Sequence, residues 1–231
     1  RYAGFQIVMG YAVTARIAGL AFLLYIAAGL GSLALTHMAG TSEGEIGARI
    51  ASMAANASLM RYAALLDLLC AICALTLGAT LFAMTSAYGA AAAAFAMSCR
   101  VIEGGLIAAS LSEGLQVLAL AMEEAPVGET ARAVASFALR GEVLLTSLFF
   151  AVGSLVFAAL FVRARLIPRA LAWLGVLASF LLVFVLPLQL VGLVDDSRLA
   201  WAWAPMLAFE VPLGLWLLVM GVRSDGQRRS N

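Results

Sequence analysis

Three charged residues, Arg100, Glu103 and Glu113, interrupt a long apolar segment of the kind that crosses a membrane. In a helix, Glu103, Ser110 and Glu113 are predicted to share one face, and Arg100 flanks that face three residues before Glu103. An arginine and a glutamate at this spacing can form an ion pair. A buried carboxylate without such a partner must instead hold a proton or meet water or a cation.

The composition indicates that these charges belong to a membrane protein. Of the 231 residues, 64% are hydrophobic and 12% are charged, whereas a soluble domain is about 45–50% apolar and about 25% charged. So much apolar side chain cannot be buried in one small core, and a lipid bilayer is the remaining solvent. The net charge of +1 gives no reason to expect a nucleic-acid partner, and three cysteines in apolar segments predict no disulfide framework.

Six stretches are apolar over about the 20 residues that a helix needs to cross the hydrocarbon layer. Each is expected to be helical, because an isolated strand or loop in lipid would leave backbone polar groups without hydrogen bonds. We therefore predict an all-α, polytopic integral membrane bundle of six transmembrane helices, forming a single domain over residues 1–231. The spans are expected at about residues 17–36, 62–85, 90–120, 143–162, 170–194 and 203–222.

The connections between the spans differ in character. Residues 40–59 and 123–139 are polar and mildly amphipathic, which predicts short helices along the membrane interface. Residues 86–89 predict a tight turn, and residues 195–198 predict a brief acidic connection. The connection at 163–169 contains three arginines. Because basic residues in short loops favour the cytoplasm, both termini are predicted to be cytoplasmic.

The charged residues of different spans are predicted to share a depth in the membrane. At about 1.5 Å per residue, Arg100 lies about 15 Å and Glu103 about 20 Å from the start of the third span, near the bilayer midplane. The same count places Asp67, Glu142 and Glu210 in the outer half of the membrane on three other spans. We predict a polar cluster at this level, whose candidate members are Asp67, Arg100, Glu103, Ser110, Glu113, Glu142 and Glu210.

A charge at the bilayer centre costs about 2.5–3.5 kcal/mol, so these side chains are expected to face the bundle interior and meet one another. Arg100 is expected to bridge to Glu103, Asp67 or Glu210. One arginine cannot neutralise three carboxylates, so either some carry protons or water and a cationic ligand reach them. Two interpretations remain open: a structural clamp between helices, and an outward-opening polar pocket that binds a ligand or relays protons.

Familiar catalytic and metal-binding motifs are missing from the sequence. Cys70 and Cys73 form a C-x-x-C pair, but they lie in the middle of a span and have no second pair with which to exchange electrons. His37 is the single histidine, and one histidine provides too few ligands for a haem or a metal ion. No phosphate-binding or hydrolase motif is present. We therefore expect no cofactor and no metal, and an enzyme is less expected than a non-enzymatic protein.

Short motifs in four parts of the chain carry a family resemblance. They are ARIAGLAFLLY from Ala15, RYAALLDLL from Arg61, CRVIEG from Cys99, and LIPR from Leu166 with FEVPLGLWLLVMG from Phe209 in the C-terminal half. With these motifs the chain resembles the bacterial six-helix membrane proteins called domain of unknown function 4386. The resemblance implies six helices and a bacterial cytoplasmic (inner) membrane, and it implies no activity. It also implies that Asp67, Arg100, Glu103 and Glu210 belong to the family pattern.

These observations favour a non-enzymatic, multi-pass membrane protein with a polar intramembrane site open to the outer side. Such a site would bind, transport or sense a small or lipid-like molecule. A first alternative is an accessory subunit of a larger membrane complex, because the loops are short and the apolar faces could pack on other membrane subunits. A second alternative is a lipid-modifying enzyme with Glu103 or Glu210 as general base. The lipid bilayer is the one partner common to all three.

Overall fold

The structure, a computed structural model, describes residues 2–39, 46–122, 142–194 and 196–222. Within these ranges the secondary structure consists of seven α-helices and one short 3-10 turn, without a strand. In chain order the helices are α1 (Tyr2–Met38), α2 (Ile46–Ala55), α3 (Ala57–Thr85), α4 (Ala90–Met122), α5 (Glu142–Ala164), α6 (Arg169–Leu190) and α7 (Asp196–Val219).

Every described helix except α2 is long and apolar enough to cross a membrane, which makes six spans. The prediction of an all-α bundle with six transmembrane helices is confirmed, and the chain is a multi-pass membrane protein. The second span begins at Ala57, earlier than expected, because a helix continues through flanking polar residues as long as its backbone hydrogen bonds continue. The fifth span is shorter than expected: α6 ends at Leu190, and the chain turns at Gly192 with a φ of 76°.

The six spanning helices form a closed ring. Each spanning helix packs against the next one in the chain, and α7 packs against α1. Neighbours are antiparallel, as shown between α1 and α3 by the contacts of Tyr25 with Cys70 and of Gly31 with Leu66. Helices α1, α4 and α6 therefore end at the same end of the ring, where α3, α5 and α7 begin. We call this the distal end and the opposite one the proximal end.

The short helix α2 lies across the distal end. Its Ile50 and Met53 are buried against Val117 and Leu118 of α4, and its Ser52 hydroxyl donates a hydrogen bond to the carbonyl of Ala39. This is the helix expected within residues 40–59. The second one, expected at residues 123–139, lies outside the described residues.

The described turns are compact. Ser86–Tyr88 forms the 3-10 turn between α3 and α4, where a tight turn was predicted at residues 86–89. Arg165, with a φ of 52°, ends α5, and Pro168 caps the start of α6. The brief acidic connection expected at residues 195–198 is largely helix, because α7 already begins at Asp196.

Ring closure between α1 and α7 depends on Gly19. A Cβ atom at Gly19 would lie 2.5 Å from the backbone nitrogen of Leu218 and 2.6 Å from the carbonyl oxygen of Gly214. These atoms are backbone and cannot rotate away, so the two helices can approach this closely only when residue 19 has no side chain.

We expect Gly19→Ala to lower the free energy of unfolding by about 1–3 kcal/mol, the usual cost of overpacking. Gly29→Ala is the matched control on the same helix, because a Cβ atom there would meet only the Cys70 sulfur at an ordinary 3.9 Å. Denaturant titration of both variants in detergent micelles measures the difference. Equal stability of the two variants would show that the close α1–α7 contact is absent.

Candidate functional site

Arg100 is enclosed by the ring because two neighbouring helices present glycines to it. Its side chain is 1% exposed. A Cβ atom at Gly78 of α3 would lie 3.1 Å from Arg100 Cβ, and one at Gly153 of α5 would lie 3.7 Å from Arg100 Cδ. The two glycines therefore leave the space through which the arginine stem passes into the interior.

Glu103 neutralises this arginine and is itself fully buried. Arg100 Nη1 donates to Glu103 Oε2 at 2.7 Å, and the Tyr25 hydroxyl of α1 donates to Glu103 Oε1 at 2.6 Å. Both carboxylate oxygens thus accept a short hydrogen bond. The bond from Arg100 is the stronger kind, because its donor and its acceptor carry opposite charges. The contact joins α1 to α4 in the middle of the bundle.

Aromatic rings cover the guanidinium group. Arg100 Cζ lies 5.5 Å from the ring centroid of Tyr25 and 5.1 Å from that of Phe150 on α5. The two rings are parallel, with centroids 6.2 Å apart, and Trp203 of α7 packs next to Phe150 at 5.7 Å. Cation–π attraction offsets part of the cost of removing the arginine from water.

A second carboxyl group, Glu210 of α7, lies close to this pair. It is 4% exposed and interacts electrostatically with Arg100 and Glu103, although it forms no ion pair with Arg100 within 4.0 Å. Within the described part of the chain, Glu210 Oε1 and the Nε and Nη2 atoms of Arg100 make no hydrogen bond. We call Tyr25, Arg100, Glu103 and Glu210 the deep cluster.

A separate, mostly apolar cavity of about 270 Å³ opens between α1, α3, α4 and α5, on the distal side of the deep cluster. Asp67 lies in its wall, where the Ser32 side chain of α1 interacts with its carboxyl group. We call this space the distal cavity. Its polar lining residues are Thr36, Asp67, Ser110, Thr146 and Ser147.

Residues 17–221 match the family model described as Domain of unknown function (DUF4386). The chain belongs to the DUF4386 family. The match covers nearly the whole chain and confirms the family resemblance of the sequence motifs. No curated protein and no solved structure matches the chain.

In this DUF4386 protein the polar residues of the spans form two groups rather than one. Arg100, Glu103 and Glu210 come together in the deep cluster, whereas Asp67 and Ser110 line the distal cavity. Of the three partners expected for Arg100, Glu103 forms the bridge, and Asp67 and Glu210 form no ion pair with the arginine. Seven residues, or about 10 Å of helix, separate Glu103 from Ser110 on α4.

The arrangement along α3 explains why Asp67 does not reach the arginine. Cys70, one turn nearer the centre than Asp67, contacts the carbonyl of Tyr25 at 3.6 Å and so stands at the level of the deep cluster. The Arg100 guanidinium is already bound to Glu103 there. Asp67 therefore meets Ser32 and the distal cavity instead.

Two other candidates remain, Glu113 and Glu142. Glu113 is half-buried and does not line the distal cavity, because ten residues at 3.6 per turn place it about 80° around α4 from Glu103. Glu142 begins α5, and its side chain lies outside the described residues.

Sequence reasoning missed Tyr25, Phe150 and the glycines beside Arg100. Tyr25 carried a usable signal: a tyrosine in the middle of an apolar span needs a partner for its hydroxyl group. Gly78 and Gly153 carried none, since glycine is common in membrane helices and only the packing shows which ones face a charge.

We expect Arg100→Met to destabilise the protein by about 3–5 kcal/mol, because it leaves Glu103 buried without its cation. Glu103→Gln is expected to cost less, because Arg100 then still has Glu210 within electrostatic range. The double variant should be more stable than Arg100→Met alone, because it removes both charges. Denaturant unfolding in micelles measures all three, and additive losses in the double variant would contradict a coupled pair.

Proposed function

We propose that this DUF4386 protein binds a small or lipid-like molecule inside the membrane, in the distal cavity. The observation that carries the proposal is the cavity itself, about 270 Å³ of space bounded by four spanning helices and lined by one carboxylate and four hydroxyl groups. A site of this kind serves binding, and by extension transport or sensing, without a catalytic group.

The size and lining of the distal cavity favour a ligand-binding site over a gap left by incomplete helix packing. Protein interiors are close-packed, with few voids larger than a water molecule, whereas the distal cavity has a volume of about 270 Å³. Small-molecule sites typically combine an apolar wall with a few polar groups. Here Ile107, Leu111 and Leu115 of α4 supply apolar wall next to Asp67 and Ser110.

The deep cluster, on the proximal side of the distal cavity, holds the helices of the cavity in place. The hydrogen bond between Tyr25 and Glu103 ties α1 to α4, and Gly153 packs α5 against α4 at the level of Arg100. These are three of the four helices that bound the distal cavity. The deep cluster and the distal cavity thus consist of separate residues, and the deep cluster holds together three of the helices that form the cavity.

A role for Glu103 as a general base has less support. Both of its carboxylate oxygens accept hydrogen bonds, from Arg100 and from Tyr25, and its side chain is 0% exposed. A general base must lie within hydrogen-bond reach of the substrate proton that it removes. A ligand in the distal cavity is instead adjacent to Asp67.

The direction of access follows from the arginine distribution. Arg163, Arg165 and Arg169 lie at the proximal end, between the end of α5 and the start of α6. The positive-inside rule then supports a cytoplasmic proximal end and an outward-facing distal cavity. In a bacterial inner membrane, the ligand would enter from the outer side or from the outer leaflet.

We expect Gly114→Phe to abolish ligand binding by filling the distal cavity. Gly114 lines the cavity, and a Cβ atom there meets no other atom within 4 Å. Gly105→Phe is the matched control, because Gly105 also lies on α4, has open space around it and is exposed outside the ring. Native mass spectrometry of protein taken from its own membranes into lipid nanodiscs measures the bound mass.

Wild-type protein and Gly105→Phe are expected to carry the same bound molecule, and Gly114→Phe is expected to carry none. A wild-type protein without a bound mass, or a Gly114→Phe variant that retains it, would contradict binding in the distal cavity.

A further inference from the structure

We propose that the ligand of the distal cavity carries a primary ammonium group, which binds to Asp67. This inference rests on the proposed binding function and names the chemistry of its ligand. Two sources offer the group, a free amine and the aminoethyl headgroup of a lipid, and the structure requires only the ammonium that they share.

The charge balance inside the ring favours a cation. Arg100 is the one buried basic side chain among the described residues, and it forms its ion pair with Glu103. That pair is neutral as a unit, which leaves two carboxyl groups without an ion pair among the described residues: Glu210 beside the pair, and Asp67 away from it in the distal cavity. In a medium of low dielectric constant, such an excess attracts a cation and repels an anion.

Asp67 is the charge nearest to such a ligand. It is the one charged side chain among the described residues that line the distal cavity. Arg61, two turns earlier on α3, is exposed and donates to the sulfur of Met122 at 3.7 Å instead of lining the cavity. A cationic ligand would therefore supply the positively charged partner that Asp67 does not have among the described residues of the cavity.

The hydrogen-bonding groups match an ammonium that carries N–H donors. An ionised carboxylate offers about four acceptor positions, and the single hydroxyl of the neighbouring Ser32 can fill at most one of those on Asp67. The hydroxyl oxygens of Ser110, Thr146 and Ser147 are further acceptors in the wall. A primary ammonium has three donors and no acceptor, and so complements this set.

The lining also discriminates between kinds of ammonium. Quaternary ammonium ions are recognised by aromatic faces, and the described lining of the distal cavity contains no aromatic residue. The aliphatic residues Met60, Ile107 and Leu118 are suited to a short alkyl chain. The cavity should therefore prefer an alkylammonium to a tetramethylammonium ion of similar size.

The first experiment compares three probes on the full chain in phosphatidylcholine nanodiscs: n-butylammonium, tetramethylammonium and 1-butanol. Calorimetric titration is expected to show that n-butylammonium binds at least tenfold more tightly than the other two. Equal affinity for 1-butanol, or tighter binding of tetramethylammonium, would overturn the inference. This comparison needs no variant and so does not depend on the folding of one.

The second experiment locates the contact. Asp67→Asn keeps the shape of the side chain, removes its charge and is expected to weaken n-butylammonium binding at least tenfold, while Asp67→Glu retains measurable binding. Glu113→Gln is the matched control: it removes one carboxylate from the same end of the ring, on α4, outside the cavity wall. It is expected to bind within twofold of wild type. Equal weakening in Asp67→Asn and Glu113→Gln would overturn a direct contact with Asp67.

The third experiment distinguishes the two sources. Native mass spectrometry is performed on nanodiscs that contain phosphatidylethanolamine and phosphatidylglycerol. Selective retention of phosphatidylethanolamine, lost in Asp67→Asn and displaced by n-butylammonium, assigns the ammonium to a lipid headgroup. Binding of n-butylammonium without lipid retention assigns it to a free amine. If Gly114→Phe removes a bound molecule that Asp67→Asn retains, the proposed binding function stands and the ammonium inference fails.

Discussion

The burial of one arginine in a lipid-embedded ring is the constraint on which the rest of the structure depends. Arg100 can stay in the interior because several separate features compensate for lost hydration: the Glu103 carboxylate, the faces of Tyr25 and Phe150, and the room left by glycines. A buried ion pair needs such compensation because both of its charges have been removed from water, and here the Nε and Nη2 atoms of Arg100 make no hydrogen bond in the described structure. Three helices besides α4 contribute to this arrangement, so it also determines how the helices can pack.

The distal cavity follows from this packing. At the level of Arg100 the helices are held together by the hydrogen bond from the Tyr25 hydroxyl of α1 to Glu103 of α4, and by the glycine contacts of α3 and α5 with α4. Towards the distal end, Ala63, Ala64 and Gly114 stand among the larger lining residues, and their side chains are too short to fill the space between the helices. The cavity is thus a consequence of a tight centre combined with small side chains beyond it.

Local patterns predicted the parts of this arrangement that depend on one helix, and not those that depend on several. Apolar length identified six spans, and the three-residue spacing of Arg100 and Glu103 identified their ion pair. Depth counting placed Asp67 near the level of Arg100 but could not resolve a difference of about one helical turn or the direction in which each helix faces. The contact of Tyr25 with Glu103 joins residues 78 positions apart, and no pattern within one span contains it.

The separation into two groups gives the carboxylates different roles. Glu103 is bound at both oxygens and serves to hold Arg100 in place, so it is not available to a ligand. Glu210 is enclosed near the same arginine and does not line the cavity. Asp67 alone of the three borders open space, and its carboxyl group has more acceptor positions than the neighbouring Ser32 hydroxyl can fill. Because Glu103 is occupied by Arg100 and Tyr25, Asp67 is the carboxyl group that borders the distal cavity, while the fold keeps the other two buried.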